Sequence, residues 1–118
     1  MSETIISKHV FNDNVILIDP GRILDNNNVH EMVDMITSAQ SNSFKYIIID
    51  MQNLEFISSA GVGSILGTVE VSRESGGDII ICNASPTILH IFEVLDLKDY
   101  LTFKNNSEEA KQFCSVEG

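Results

Sequence analysis

The amino-acid sequence predicts an α/β fold of one domain built around a mixed β-sheet, and three observations carry that prediction. Two runs, Tyr46-Ile47-Ile48-Ile49-Asp50 and Ile79-Ile80-Ile81-Cys82, are apolar on consecutive positions, the pattern of strands covered on both faces. One helical segment separates them, and strand, helix, strand at this spacing reads as a right-handed parallel crossover. Upstream, a loose alternation from Ile5 to Phe11 meets the compact run Val15-Ile16-Leu17-Ile18 across Asn12-Asp13-Asn14, whose side chains supply turn chemistry; this reads as a hairpin.

The other elements follow in order. Pro20-Gly21 ends the second strand, and Asp25-Asn26-Asn27-Asn28 offers several caps ahead of Val29, Met32, Val33 and Ile36, which line one face of a helix over about residues 28–40. Ser41-Asn42-Ser43 breaks it. The central helix starts near Ser59 and ends at Gly76-Gly77. Ser85-Pro86 is a cap followed by proline at the first helical position, and Ile88, Leu89, Phe92 and Leu95 keep the helical period. A short edge strand near Leu101-Thr102-Phe103 and a helix from Ser107 to about Cys114 complete the chain. No repeat, low-complexity tract or linker divides it, and 118 residues suit a single domain, 1–118.

Charge narrows the partners. A formal net charge of −10, with seven Lys and Arg in all, argues against nucleic acid and anionic membrane, which both need clustered cations, and leaves a protein partner open. Cys82 and Cys114 form no CxxC or metal-type spacing and suit a reducing compartment. The start MSETIISKH lacks a basic region followed by an apolar core, and no apolar run approaches the ~20 residues of a membrane span. The expected location is the cytoplasm.

The most informative stretch is Phe56 to Gly67, FISSAGVGSILG. On a helix from Ser59, Val62, Ile65, Leu66 and Val69 form the stripe that must face the sheet, which leaves Ala60, Ser64, Gly67 and Val71 outside with Gly63 at the margin. Glycine inside a helix costs roughly 1 kcal/mol relative to alanine, so Gly63 and Gly67 need a compensating reason. Either the helix lies very close to another backbone of its own fold, or the shallow face receives a partner. Ser58 and Ser59 pose a similar choice between capping and modification. A helix N-terminus stabilises a phosphate by roughly 0.3–2 kcal/mol, whereas a partner covering that spot would lose on the order of 2–5 kcal/mol. A phosphoserine there is tolerated by the fold and not by the complex.

Catalytic patterns are weaker. GVGSILG has the form GxGxxxG, but its glycines lie some ten residues or more past the strand start, and the next strand ends in Cys82-Asn83 with no ribose-binding acid; a nucleotide-binding domain is the weakest reading kept. No GxxxxGK[ST] or GxSxG occurs. His9, His30 and His90 fall on different elements, and His90 with Glu93 reads as a surface pair. Neither an enzyme nor a metal or cofactor site is expected.

These residues resemble the STAS domains, in particular the anti-sigma factor antagonists of bacterial partner-switching systems. The resemblance runs from about Ile5 to Ala110. Asp50 followed by Phe56-Ile57-Ser58-Ser59-Ala60-Gly61-Val62-Gly63 is similar to the family's D-x7-D-S-[ST]-G-L-G pattern, and Cys82-Asn83-Ala84-Ser85-Pro86, continuing to Phe92-Glu93, is similar to its fourth strand and following helix. The resemblance implies a STAS fold, a four- or five-stranded mixed sheet with helices packed mainly on one face. It implies that the unphosphorylated protein binds an anti-sigma serine kinase of the histidine-kinase-like ATPase fold and frees the sigma factor, that phosphorylation on Ser59 blocks binding, and that a metal-dependent serine phosphatase restores it. Ser58, Ser59, Ala60, Gly61, Gly63, Ser64 and Gly67 would then meet the partner, together with Asp25 in Gly21-Arg22-Ile23-Leu24-Asp25, a turn one residue longer than the family's G-x-L-D. Ser58 stands where the family has an acid and Ala60 where it has Ser or Thr, so Ser58 is a competing hydroxyl. The alternative is a STAS signalling module with a non-sigma output, such as a phosphatase, a cyclase or a larger complex.

Overall fold

Residues 6–117 are described in the computed structural model. Ile5, where the sequence pattern begins the first strand, lies outside the described residues, as does the rest of residues 1–5. In chain order the elements are β1 (Ser7–Val10), β2 (Val15–Asp19), β3 (Ile23–Leu24), α1 (Val29–Ser41), β4 (Tyr46–Asp50) and β5 (Phe56–Ile57). They continue with α2 (Ser59–Glu74), β6 (Asp78–Cys82), α3 (Pro86–Val94), β7 (Thr102–Lys104) and α4 (Ser107–Glu117). The main sheet has the order β1-β2-β4-β6-β7, and β3 pairs with β5 in a small second sheet.

The hairpin forms as its turn chemistry dictates. β1 and β2 are antiparallel with Val10 opposite Ile16, and the amides of Asn14 and Val15 donate to Asn12 Oδ1 at 2.8 and 3.0 Å. Every other pairing in the main sheet is parallel, so α1, α2 and α3 are each crossovers between neighbouring parallel strands. The consecutive apolar runs follow from this topology. Ile47, Ile49, Ile79 and Ile81 share a core with Met32 and Ile36 of α1, Ile65 and Val69 of α2, and Ile88 and Phe92 of α3. Tyr46, Ile48, Ile80 and Cys82 point the other way, into a second core closed by Ala110 and Cys114 of α4. Each fully buried isoleucine contributes about 1.5–3 kcal/mol over an exposed one, so both faces had to be covered. Helices therefore lie mainly, but not wholly, on one face.

Two boundaries move. Leu101 belongs to the core just before β7 rather than to the strand, and α4 runs on to Glu117. Gly76-Gly77 does more than end a helix: a Cβ on Gly77 would overlap the Lys45 carbonyl, the same oxygen that accepts the Asp78 amide at 3.1 Å as β6 begins. Glycine is required there by close approach. Burial, with the nearby Asp50 carboxylate second, pushes the Cys82 thiol up to about 12, and burial followed by the Asp78 charge pushes Cys114 up to about 11. Both behave as small core hydrophobes. No helix among the described residues is long and apolar enough to cross a membrane.

Two side chains fasten α2 on either side. Gln40 Nε2 of α1 donates to the Thr68 carbonyl at 2.8 Å and to Ser72 Oγ at 3.0 Å. Arg73 Nε donates to Asp78 Oδ1 at 2.9 Å, and the same guanidinium donates to the Tyr100 carbonyl at 2.7 Å and stands 5.0 Å from the Tyr100 ring centroid. Thr102 Oγ1 donates to Asp78 Oδ2 at 2.6 Å, completing that second fastening.

Candidate functional site

The helix start at Ser59 is set by the small sheet beside it. β3 and β5 run parallel, with Ile23 opposite Phe56 and Leu24 opposite Ile57, and the amides of Glu55 and Phe56 both donate to the Arg22 carbonyl. The Ser58 amide donates to the Leu24 carbonyl at 3.0 Å, which carries the ladder to the cap. Arg22 also holds Glu55 through two 3.1 Å contacts, and that hydrogen-bonded guanidinium keeps the Glu55 carboxyl below its usual range. Neither short strand was legible in the sequence; each is two residues long and has no periodicity to detect.

The two serines have different duties. Ser58 is extended, and its Oγ accepts from the Gly61 amide at 3.2 Å, so Ser58 is the N-cap. Ser59 is the first helical residue, is exposed, and makes no side-chain hydrogen bond among the described residues. The hydroxyl that caps is engaged; the one beside it is exposed.

The glycines divide as well. A Cβ on Gly61 would lie 2.7 Å from both Ile57 Cγ1 and the Leu24 carbonyl oxygen, so this glycine lets α2 sit against β3 and β5. The space beside it is filled by the protein's own fold. At Gly63 and Gly67 nothing stands within 4 Å of the Cβ position. Close approach inside the fold does not account for them.

Ser64 is a correction. It does not lie on the outer face: it is 7% exposed, and its hydroxyl donates to the Gly61 carbonyl at 2.6 Å. Thr68 and Ser72 are buried one and two turns on, and Thr68 likewise donates back to the Ser64 carbonyl at 2.8 Å. Ser64 and Thr68 satisfy their hydroxyls on the helix backbone and Ser72 Oγ accepts from Gln40 Nε2, so all three can be buried without a polar penalty. A reading that equates burial with apolar residues misses this flank. The outer face instead carries Gly63, Gly67, Glu70 and Val71, with Ala60 and Leu66 half-buried at its edge.

Asp25 follows β3, and the β3–β5 register brings it alongside Ser58. Its Oδ1 accepts the Asn27 amide at 2.9 Å. Asn28 is buried and spends its side chain on this turn, donating to the Ile23 carbonyl at 2.7 Å and accepting from the Asp25 amide at 2.9 Å, which is why it makes no side-chain cap to α1. The structure thus gathers Asp25, Ser58, Ser59, Ala60 and Gly61, extends the face through Gly63 and Gly67, and turns Ser64 inward. Phe56, which opens the stretch singled out in the sequence but is not among the residues expected to meet a partner, is 53% exposed just before the helix start. Its partner in alternation, the buried Ile57, was the available signal. His90 Nδ1 and Glu93 Oε1 are 3.7 Å apart on the surface, and among the described residues no cluster of His, Cys, Asp and Glu could hold a metal ion.

Comparison with known proteins agrees with this architecture. The Anti-sigma F factor antagonist of Paenibacillus polymyxa is 24% identical over 86 residues, spanning 69% of this chain and 74% of that protein. The structure of the anti-sigma factor antagonist SpoIIAA in its unphosphorylated form matches with a TM-score of 0.79 at 22% identity, over 92% of this chain and 96% of that one. The Bacillus cell fate determinant SpoIIAA in its phosphorylated form matches with a TM-score of 0.74 at 23% identity, over 92% and 99%. The family model described as STAS domain matches residues 8–110, and the chain belongs to the STAS domain family.

Proposed function

We propose that this chain is an anti-sigma factor antagonist that works by partner switching in the bacterial cytoplasm. In its unphosphorylated form the outer face of α2, with Asp25 and the start of the helix, docks on an anti-sigma serine kinase and frees the sigma factor. The kinase then transfers the terminal phosphoryl group of ATP to Ser59 Oγ, releasing ADP and the hydroxyl proton, and a serine phosphatase later returns the hydroxyl by hydrolysis. The chain itself supplies no catalysis. Relatives in sequence and in fold bear the name anti-sigma factor antagonist, one of them solved in both phosphorylation states.

One observation carries the assignment of Ser59: it is the exposed, unbonded hydroxyl at the first helical position, while Ser58 does the capping. A phosphate there meets the positive end of α2 and leaves the cap intact, so the fold keeps its stability while the docking face gains about two negative charges. Incubation with the cognate kinase and ATP, followed by mass-spectrometric mapping, should place one phosphate on Ser59. A phosphate on Ser58 or elsewhere, or none with an active kinase, sinks the assignment.

A further inference from the structure

Among the described residues six large apolar side chains are exposed, and three of them fall in one seven-residue segment: Val94 at 66%, Leu95 at 50% and Tyr100 at 42%. Val94 and Leu95 continue from the half-buried Ile91 at i, i+3, i+4, a second apolar stripe beside the one that Ile88 and Phe92 bury in the core. Leu89, on the opposite flank of α3, lines a cavity with Phe103 of β7. The exposed stripe is thus on the flank toward α2, the helix to which Arg73 fastens Tyr100.

The charges beside this stripe work against the free chain. α3 closes in a Schellman turn, with the Asp96 amide donating to the Glu93 carbonyl at 3.1 Å and the Leu97 amide to the Phe92 carbonyl at 2.9 Å. The turn holds Asp96 at φ 59°, a left-handed position that favours glycine, and at the negative end of a helix whose last turn has no basic residue. Glu93, Asp96, Lys98 and Asp99 line an open cavity of about 370 Å³ at this end. Lys98 is committed to Glu93 at 3.5 Å, whereas Asp96 and Asp99 have neither an ion pair nor a side-chain hydrogen bond among the described residues. Exposed apolar surface and open carboxylates are both relieved by a neighbour that is apolar on one side and cationic beside it. A second copy seated here by two-fold symmetry would bring the same carboxylates together, and an anionic lipid surface would meet them too. A basic amphipathic helix satisfies both demands, with its apolar stripe on Val94, Leu95 and Tyr100 and its cations toward Asp96 and Asp99.

We propose that the end of α3, with Tyr100, is a docking surface for a basic amphipathic helix of a partner protein, and that it works in either state of Ser59. Arg73, beside Tyr100, lies fourteen residues past Ser59, about 21 Å along α2, while a charge at Ser59 is screened within about 8 Å at physiological salt. This contact is separate from docking at Ser59 and does not depend on it. The test is an amide NMR titration of the full chain with three peptides of equal length: three repeats of Leu-Lys-Lys-Leu, six repeats of Leu-Lys, and three repeats of Leu-Glu-Glu-Leu. Saturable shifts at Ile91, Val94, Leu95, Asp96 and Tyr100 are expected with the first alone, and with the same affinity, within about twofold, in a Ser59→Asp chain. A Val94→Gln, Leu95→Gln variant should lose at least about tenfold in affinity. Asp96→Gly should bind about threefold more weakly and yet melt about 2–4 °C higher, a pairing that general loss of folding cannot produce. An equal response to the alternating Leu-Lys peptide overturns the helical occupant, and an equal response to the acidic peptide overturns the role of charge. Silence, or shifts confined to other residues, overturns the surface. Lost binding in the Ser59→Asp chain joins the patch to the switch and overturns its independence. An Asp96→Gly chain that melts lower, or binds as tightly as the parent, overturns the part given to Asp96.

Discussion

Replacing Gly63 and Gly67 together by alanine should stabilise the free protein and weaken its complex. Each new methyl enters space with no atom within 4 Å, and each replacement removes a helix-interior glycine. The expected gain is about 1–2 kcal/mol for the pair. For 118 residues the unfolding entropy near the midpoint is about 0.25 kcal/mol/K, so the melting temperature should rise by about 4–8 °C. Gly61→Ala should move the other way. Its methyl would stand 2.7 Å from the Leu24 carbonyl oxygen and from Ile57 Cγ1, and a backbone atom cannot rotate aside. Overpacking of that kind costs about 1–3 kcal/mol, or about 4–12 °C by the same conversion. Calorimetric melts of the three proteins read these signs, and titration against the kinase reads the complex, where the double variant should bind at least about tenfold more weakly. A destabilised Gly63/Gly67 variant would mean that this face closes on something in the chain's own fold. A stabilised variant with unchanged kinase affinity would remove docking as the reason for the glycines.

Other outcomes separate cap from switch and fold from face. Ser58→Ala should cost about 1 kcal/mol in chemical denaturation by loss of the cap, with Ser59 still phosphorylated; a neutral effect would contradict the Gly61 hydrogen bond. Ser59→Asp should fold as well as the parent and fail to bind the kinase, and Ser59→Ala should bind and escape the switch; an unfolded Ser59→Asp chain would count against a phosphate-tolerant helix start. Arg73→Ala should lose about 1–3 kcal/mol, because the partly buried Asp78 loses its cationic partner, and a Thr102→Val background should couple with it in a double-mutant cycle. The thiols define an alkaline window. Their folded pKa values are raised, so the unfolded chain releases its thiol protons first, and stability should fall from about pH 9 upward until about pH 11 for Cys114 and about pH 12 for Cys82. Denaturation melts across that range should show a shallower decline in a Cys82→Ala, Cys114→Ala variant, and an unchanged slope would refute the assignment.

Much of this was readable from the chain because certain residues act locally. Asn12 closes a turn by itself, Ser85-Pro86 announces a helix start, and an isoleucine run that is never interrupted by a polar residue must have protein on both sides. What stayed hidden depends on encounters between distant residues. β3 and β5 exist because Arg22 and Leu24 offer carbonyls to residues more than thirty positions away, and nothing in either dipeptide says so. The burial of Ser64, Thr68 and Ser72 depends on α1 arriving against that flank. At the candidate site the choice between Ser58 and Ser59 needed only one hydrogen bond to decide the cap, yet that bond required the helix register to within a single residue. Periodicity rarely fixes an element's end so closely.

The two fastenings of α2 bear on how a message would be stored. Gln40 grips the helix from α1, and Arg73 ties its far end to the β6–β7 side, with hydroxyl residues between that bury no unmet polar atom. A helix held this way has little freedom to tilt or slide when a group is added at its tip. The two states of Ser59 would therefore share one backbone and differ in surface potential. A partner would meet a surface already in its bound shape, with little ordering entropy lost on association. Backbone amide protection along α2 should accordingly be the same before and after phosphorylation, with the difference confined to the first turn.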